Sequence, residues 1–351
     1  MKLKAILQKL RLSLGKKLID IDKSKGSEVA LPNKILFLRQ DGKIGDYTVS
    51  SFVFRELKKQ NNDIKIGIVC TKQDAYLYQQ NPHIDHIYYV KKRNIIDYIR
   101  CGLKLRKEHY DVVIDPTVVI KNRDLLLLRL INAKNYVGYK KSDYGLFNIN
   151  IEGEHHFSAL YKIALEKLGV IVQDTTYDVP YDENIKREIE GYLQENNLSH
   201  YIAINFYGAA RAKKVSDENI PKYIEYLQKI TNNQPLVLLS YPEVASKLQE
   251  IAANYENVFV HNTTKIFHTI ELIRNAELLI STDTSTVHIA SGFDKKIIGI
   301  YRDDPIAFIH WKPISKAETH ILFYKENINE ISPEQIKAEW VGELKNGISK
   351  P

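Results

Sequence analysis

Cysteine is nearly absent. Cys70 and Cys101 are the only two in 351 residues. Two isolated thiols without paired metal-ligand spacing exclude a disulfide scaffold and fit a reducing compartment. Long apolar runs are missing as well. Without a stretch of about 18 apolar residues, no membrane-spanning helix is expected. The start, MKLKAILQKLRLSLG, lacks the continuous apolar core of a secretory signal. No short-period repeat or low-complexity segment occurs. Gln40–Asp46 reads QDGKIGD and lacks the three-glycine dinucleotide pattern, which disfavours a dehydrogenase. The Gly-Lys-Ser/Thr of a phosphate-binding P-loop is missing too. No His/Cys/Asp cluster with ligand spacing is visible, so neither a bound metal nor a cofactor is expected.

Fifty basic residues against 43 acidic leave a net charge of +7. Residues 1–23 hold seven basic and two acidic residues and so carry +5 of that excess. A general nucleic-acid binder spreads its charge over a domain surface, so no nucleic-acid partner is expected. In this arm Leu3, Leu7, Leu10, Leu14, Leu18 and Ile21 recur at steps of four and three, which predicts one apolar stripe of a helix. Lys2, Lys4, Lys9, Arg11, Lys16 and Lys17 take the other faces. Such a helix reads either as an anchor on an anionic membrane surface or as a helix packed on its own protein or on a partner subunit, and Gly15 weakens it. Residues 24–28, SKGSE, read as a linker.

The rest of the chain alternates buried strands with helices. Strands are predicted at 34–39, 64–70, 87–90, 110–115 and 136–139, with helices at 47–60, 74–80, 95–108, 124–131 and 155–168. A second set follows: strands 201–205, 235–240, 258–261, 278–280 and one beginning at Ile297, and helices 185–196, 217–232, 243–255, 269–275 and 287–291. Ser332-Pro333-Glu334-Gln335 predicts a last helix start, with proline at the first position. The pattern is α/β, with two doubly wound parallel sheets: a basic helix at 1–23, a first domain at 31–175, a second at 180–330 and a terminal helix at 332–346. A cleft between two such domains is the natural place for a ligand.

Three stretches carry candidate chemistry. Asp46 follows Gly45 after the first buried strand, where a carboxylate is either a helix cap or a base. Tyr207-Gly-Ala-Ala-Arg-Ala-Lys-Lys214 opens the second domain with small residues and clustered cations. It reads as a phosphate-facing loop or as a solvated basic loop. The stretch 278–301 runs from a strand into the turn Ser281-Thr282-Asp283-Thr284-Ser285-Thr286 and then a helix holding His288. Polar turns between a strand end and a helix start bind anions through free N–H groups, although a capped turn without a ligand has the same pattern.

The order of these three motifs resembles glycosyltransferase family 9, the ADP-heptose:lipopolysaccharide heptosyltransferases, over about residues 34–300. The family's Gly-Asp matches Gly45-Asp46, and its Asp…Lys stretch matches Asp115 and Lys121. Its Lys-x-Trp-Pro matches Lys213-Lys214-Val215-Ser216, with Val-Ser replacing Trp-Pro. Its Asp-Thr-Gly-x-x-His matches Asp283 to His288, with Ser285 replacing glycine.

The resemblance implies a GT-B fold, two Rossmann-like domains facing a cleft, with the terminal helix packing back toward the first. It implies an inverting, metal-independent transfer of heptose from ADP-heptose to a lipid-anchored core oligosaccharide of lipopolysaccharide. Asp46 would be the base and Lys213 or Lys214 the partner of the leaving diphosphate. Thr284, Ser285 and Thr286 would offer backbone N–H groups, Asp283 and His288 would shape the turn, Glu243 would meet a ribose, and Lys121 and Arg123 would face the acceptor. The location implied is cytoplasmic, on the inner face of the membrane, with residues 1–22 as the tether. Two rival expectations are a relative using another nucleotide sugar and a non-catalytic nucleotide binder of the same fold.

Overall fold

The sequence Lys34–Arg39, KILFLR, forms β1, with every residue after Lys34 buried. A near-continuous apolar run is what a parallel strand covered on both faces requires. The computed structural model describes residues 2–23, 31–40 and 42–342, with 2–9 described by backbone alone. The predicted linker at 24–28, the side chains of Lys2, Leu3, Lys4, Leu7 and Lys9, and 343–346 of the predicted last helix lie outside the described residues. The chain divides into two units, Met1–Thr176 and Tyr177–Pro351, at the boundary expected from sequence.

In the first unit α1 (Lys2–Ile19) precedes β1. Then come α2 (Ile44–Ser50), α3 (Phe52–Gln60), β2 (Lys65–Cys70), α4 (Tyr76–Gln79), β3 (His86–Tyr89) and α5 (Ile95–Arg106). The unit continues through β4 (Val112–Asp115), α6 (Asn122–Ile131), β5 (Asn135–Tyr139), β6 (Ile149–Ile151) and α7 (Phe157–Glu166). The sheet order is β3-β2-β1-β4-β5-β6. Every pairing in it is parallel. The single helix predicted at 47–60 is two helices that start earlier and meet at Ser51. There the Ser50 and Ser51 hydroxyls donate back to the carbonyls of Asp46 and Thr48, a competition with the helical ladder that bends helices.

The second unit runs α8 (Glu183–Glu195), β7 (Ile202–Asn205), α9 (Ile220–Ile230), β8 (Leu236–Leu238), α10 (Ala245–Ala252), β9 (Val258–Phe259) and α11 (Ile266–Asn275). It ends with β10 (Leu278–Thr282), α12 (Ser285–Gly292), β11 (Lys296–Arg302), α13 (Pro305–Trp311), β12 (Thr319–Tyr324) and α14 (Ala338–Val341). Its sheet order is β12-β11-β10-β7-β8-β9, again parallel throughout. In each sheet the first strand of the unit sits centrally, beside the point where the order reverses, which is the Rossmann-type winding. Short or half-buried edge elements, β6, α13 and β12, are absent from the sequence reading. The predicted helix from Pro333 is instead a 3-10 turn at Pro333–Gln335 followed by the one-turn α14. These residues pack on α9: Tyr226 donates to the Ile336 carbonyl, and Ile336 and Val341 join the second core.

Helix α1 docks on α6 through Gly15. A Cβ at Gly15 would lie 1.9 Å from the Asn122 amide nitrogen, and that amide donates to the Arg11 carbonyl at 2.8 Å. Arg129 closes the helix end by donating to the Leu18 and Ile19 carbonyls. Asp20 accepts from the N–H groups of Gly145 and Leu146. Ile19 and Ile21 pack against the core. Gly15 is therefore the docking residue rather than a weak point. The leucines point away: Leu10, Leu14 and Leu18 are 63%, 61% and 69% exposed.

Candidate active site

In the first unit, Asp46 is the third residue of α2. The N-cap is Lys43, so the capping alternative for Asp46 does not hold. Asp46 lines a cavity of about 80 Å³ with Val49, Pro116, Thr117, Val118, Phe157 and Tyr161. The turn after β4 is fixed by Asp115, whose carboxylate accepts from the Thr117 N–H at 3.1 Å and hydroxyl at 2.8 Å. Lys141, fully buried, donates to the Thr117 carbonyl and lies 3.7 Å from the Asp115 carboxylate. Burial pushes the Lys141 pKa down, against the pull of Asp115. Buried Arg39, at the end of β1, donates to the Tyr78 and Tyr161 hydroxyls. Tyr161 carries that buried cation's hydrogen bonding to the cavity wall.

Asp115 thus shapes the wall beside Asp46. Lys121 is exposed at the N-cap of α6. Arg123, in the first turn, lies 3.4 Å from Asp124 and over the Tyr98 ring. Neither Lys121 nor Arg123 lines the Asp46 cavity. Arg39, Tyr161 and Lys141 were missed from sequence. For Arg39 and Lys141 the available signal was a charge ending or following a buried strand; Tyr161, within α7, carried none.

In the second unit the turn after β7 and the turn after β10 meet. Between Tyr207 and Lys214 the chain folds on itself, the two residues forming an antiparallel bridge. The Gly208 N–H donates to the Lys213 carbonyl at 2.8 Å. A Cβ at Gly208 would come within 2.5 Å of the Lys213 Cβ, so glycine is required there. A 3-10 turn at Arg211–Lys213 then aims Lys213 at the second turn, where its ammonium pairs with the Asp283 carboxylate. The ammonium also lies 3.4 Å from the Asp283 carbonyl. This pairing belongs to Lys213. Lys214 gives its carbonyl to Asn329.

Asn205 ends β7 and organises the second turn. Its amide nitrogen lies 3.2, 3.0 and 3.2 Å from the hydroxyls of Ser281, Thr284 and Thr286. Those hydroxyls also bond to one another, Thr286 standing 2.7 Å from both Ser281 and Thr284. Thr284 is the N-cap of α12, and Ser285 and Thr286 begin it. First-turn N–H groups have no partner within the helix and carry its positive dipole end. Ser285 is absent from the residues with positive φ, so serine replaces the family glycine without backbone strain. His288 is buried, with its ring 5.4 Å from that of Trp311. Glu243 is exposed in the turn before α10. Burial pushes the nearby Tyr207 hydroxyl up to about 12, so it is a neutral donor at physiological pH. Asn205 was not among the sequence candidates, and Tyr207 was named only as the first residue of the basic loop. A polar residue closing the apolar strand IAIN was the signal.

Two Rossmann-like α/β units, one with a cation beside a helix N-terminus at its strand ends, define a protein of the GT-B fold. The glycosyltransferase family 9 (heptosyltransferase) profile matches residues 98–340. The chain belongs to that family and is a glycosyltransferase; the matched region leaves Asp46 outside it. A putative lipopolysaccharide heptosyltransferase 4 of Escherichia coli K12 is 20% identical over 313 residues, 86% of this chain and 84% of its own. Among solved structures, a family 9 glycosyltransferase from Veillonella parvula superimposes with a TM-score of 0.69 at 17% identity, covering 89% of this chain and 96% of that one. The E. coli heptosyltransferase WaaC with ADP gives 0.64 at 15% identity, over 88% and 97%.

Proposed function

We propose that the protein transfers heptose from ADP-heptose to a lipid-anchored core oligosaccharide of lipopolysaccharide, with inversion and without a metal-bound donor. The observation that carries this is the Lys213–Asp283 pair at the N-terminus of α12. The names of the relatives support the sugar and the acceptor. WaaC, of similar fold, was solved with ADP.

An acceptor hydroxyl oxygen attacks the anomeric carbon of the donor. The bond from that carbon to the diphosphate oxygen breaks, and its electron pair leaves with the nucleoside diphosphate. The hydroxyl proton passes to the Asp46 carboxylate. Charge building on the diphosphate is met by the Lys213 ammonium, released from Asp283, and by the N–H groups of Ser285 and Thr286. A flexible lysine pairs with phosphate as a point charge, so it changes partners without rebuilding the turn. Lys121, exposed ahead of α6, and Arg123 are assigned to acidic groups of the acceptor, and exposed Glu243 to a ribose hydroxyl.

Membrane association belongs to the same reading. No helix among the described residues is long and apolar enough to cross a membrane. The exposed Leu10, Leu14 and Leu18, beside Arg11 and Lys17, suit the surface of an anionic bilayer, where a lipid-anchored acceptor is held on the cytoplasmic side.

Replacing Asp46 with asparagine keeps the shape and removes the base. Turnover is expected to fall about 10²- to 10⁴-fold with ADP affinity unchanged. A folded Asp46→Asn variant within tenfold of the wild-type rate would falsify the assignment. Thermal shifts with ADP, UDP and GDP in parallel test the donor, and ADP is expected to give the largest rise.

A further inference from the structure

One cluster in the second unit takes no part in the nucleotide turn. His261 follows β9, His268 lies in the first turn of α11, and Glu188 lies on α8. The Nε2 atoms of both histidines converge on one Glu188 carboxylate oxygen, His268 at 3.2 Å and His261 at 3.8 Å. All three donor atoms fall within 4.8 Å of one another. Two ligands at tetrahedral positions around zinc are about 3.3 Å apart, given bonds of about 2.0–2.1 Å. The set therefore closes on an ion with small side-chain adjustments. We propose that Glu188, His261 and His268 form a binding site for one divalent transition-metal ion of the zinc class, clipping α8 to α11 and to the turn after β9.

Two further observations support it. The far ring nitrogens are already engaged, as metal-bound histidines require. His268 Nδ1 lies 3.2 Å from both the carbonyl and the N–H of Lys265, so the same backbone serves either tautomer. His261 Nδ1 lies 3.3 Å from the Thr263 hydroxyl. The ring of His261 is held from the side by the edge of Tyr192 at 4.9 Å, and its carbonyl by the Ser240 hydroxyl at 2.7 Å.

The donor chemistry selects the ion. Two imidazoles and one carboxylate suit zinc, cobalt, nickel or copper, whereas magnesium and calcium take oxygen ligands. The two histidines are buried, but the Glu188 side chain is 55% exposed, which leaves an entry path and room for water as a further ligand. The site stands or falls independently of the transferase reading, because it uses none of the residues assigned there.

The test uses the untagged full chain, stripped with a chelator and titrated with Zn²⁺ against a chromophoric competitor, with Co²⁺ as a visible-absorption probe. Wild type is expected to bind one ion with roughly micromolar affinity. Glu188→Gln and His268→Gln are each expected to weaken binding by at least about tenfold, the lower end of what losing an outer hydrogen-bond partner of a ligand costs. Both should lose the cobalt absorption. Zinc should raise the melting temperature of wild type and leave that of the variants unmoved. Glu188 is exposed, so its replacement leaves the fold intact and keeps the test decisive if the His268 variant does not fold. Zinc affinity equal in wild type and Glu188→Gln, or no stoichiometric binding by wild type, overturns the proposal.

Discussion

Lys213 and Lys214 are chemically identical neighbours with different surroundings. The bridge between Tyr207 and Lys214 and the 3-10 turn before it aim Lys213 at Asp283. A charge-assisted hydrogen bond contributes about 1.5–3 kcal/mol, so Lys213→Ala should weaken ADP binding roughly tenfold to a hundredfold. Lys214→Ala should change it less than about threefold, within the range of a surface charge. Calorimetric titration of the two variants side by side checks this, and equal losses would remove Lys213 from the diphosphate site. The sequence placed a cation here but left the choice between the two lysines open. One residue of register is set by a loop closure that has no periodic signature. Asp46 stands out as a candidate because it follows a buried strand at a glycine turn. The wall opposite it was not legible, since Tyr161 and Thr117 reach the cavity only through packing of α7 and the turn after β4.

At the scale of elements, the strands and helices that form the two sheets follow from apolar runs and breakers. The errors lie where other forces decide. Helix α11 begins three residues before the predicted 269, and those residues bring His268 onto the helix beside Glu188. The cap there is Lys265, with His268 accepting from its backbone N–H, a pairing that no usual capping pattern announces. The metal-ligand set was invisible for the same reason, since Glu188 and His268 are 80 residues apart. The turn after β10 is organised from outside itself by Asn205. Replacing Asn205 with leucine removes the donor shared by three hydroxyls and should cost about 1–3 kcal/mol in urea unfolding. It should also lower ADP affinity, because Ser285 and Thr286 lose their fixed placement. A variant with unaltered unfolding midpoint would show that the hydroxyls satisfy one another without it. Gly208→Ala tests the other turn. Its Cβ would press on the Lys213 Cβ and carbonyl, an overpacking cost of about 1–3 kcal/mol. Nucleotide binding should weaken while the maximal rate per bound donor stays near wild type.

For the molecule as a whole, two similar parallel sheets were legible from the alternation of elements, and so was the boundary near residue 176. The amphipathic arm was legible as a pattern but ambiguous in meaning, because periodicity does not say which face meets protein. The structure splits the arm's tasks by face. Gly15, Ile19, Asp20 and Ile21 fasten it to the first unit, and the leucine row at 10, 14 and 18 is left outward. Deleting residues 1–22 is therefore a poor test of membrane binding, since it also strips Ile19 and Ile21 from the core and the Asp20 hydrogen bonds from the turn at Gly145. Replacing Leu10, Leu14 and Leu18 together with glutamine separates the two tasks. Each leucine gains up to about 1.5–3 kcal/mol if fully buried in lipid, and each nearby lysine or arginine adds about 1 kcal/mol at an anionic surface. Sedimentation with vesicles containing anionic lipid should thus fall at least about tenfold in the triple variant. Its melting temperature should stay within about two degrees of wild type, because the three side chains are already in water. Raising salt should weaken the remaining attraction, which then rests on charge alone. If the triple variant sediments like wild type, the leucine row does not meet lipid, and the basic arm serves only to cover α6.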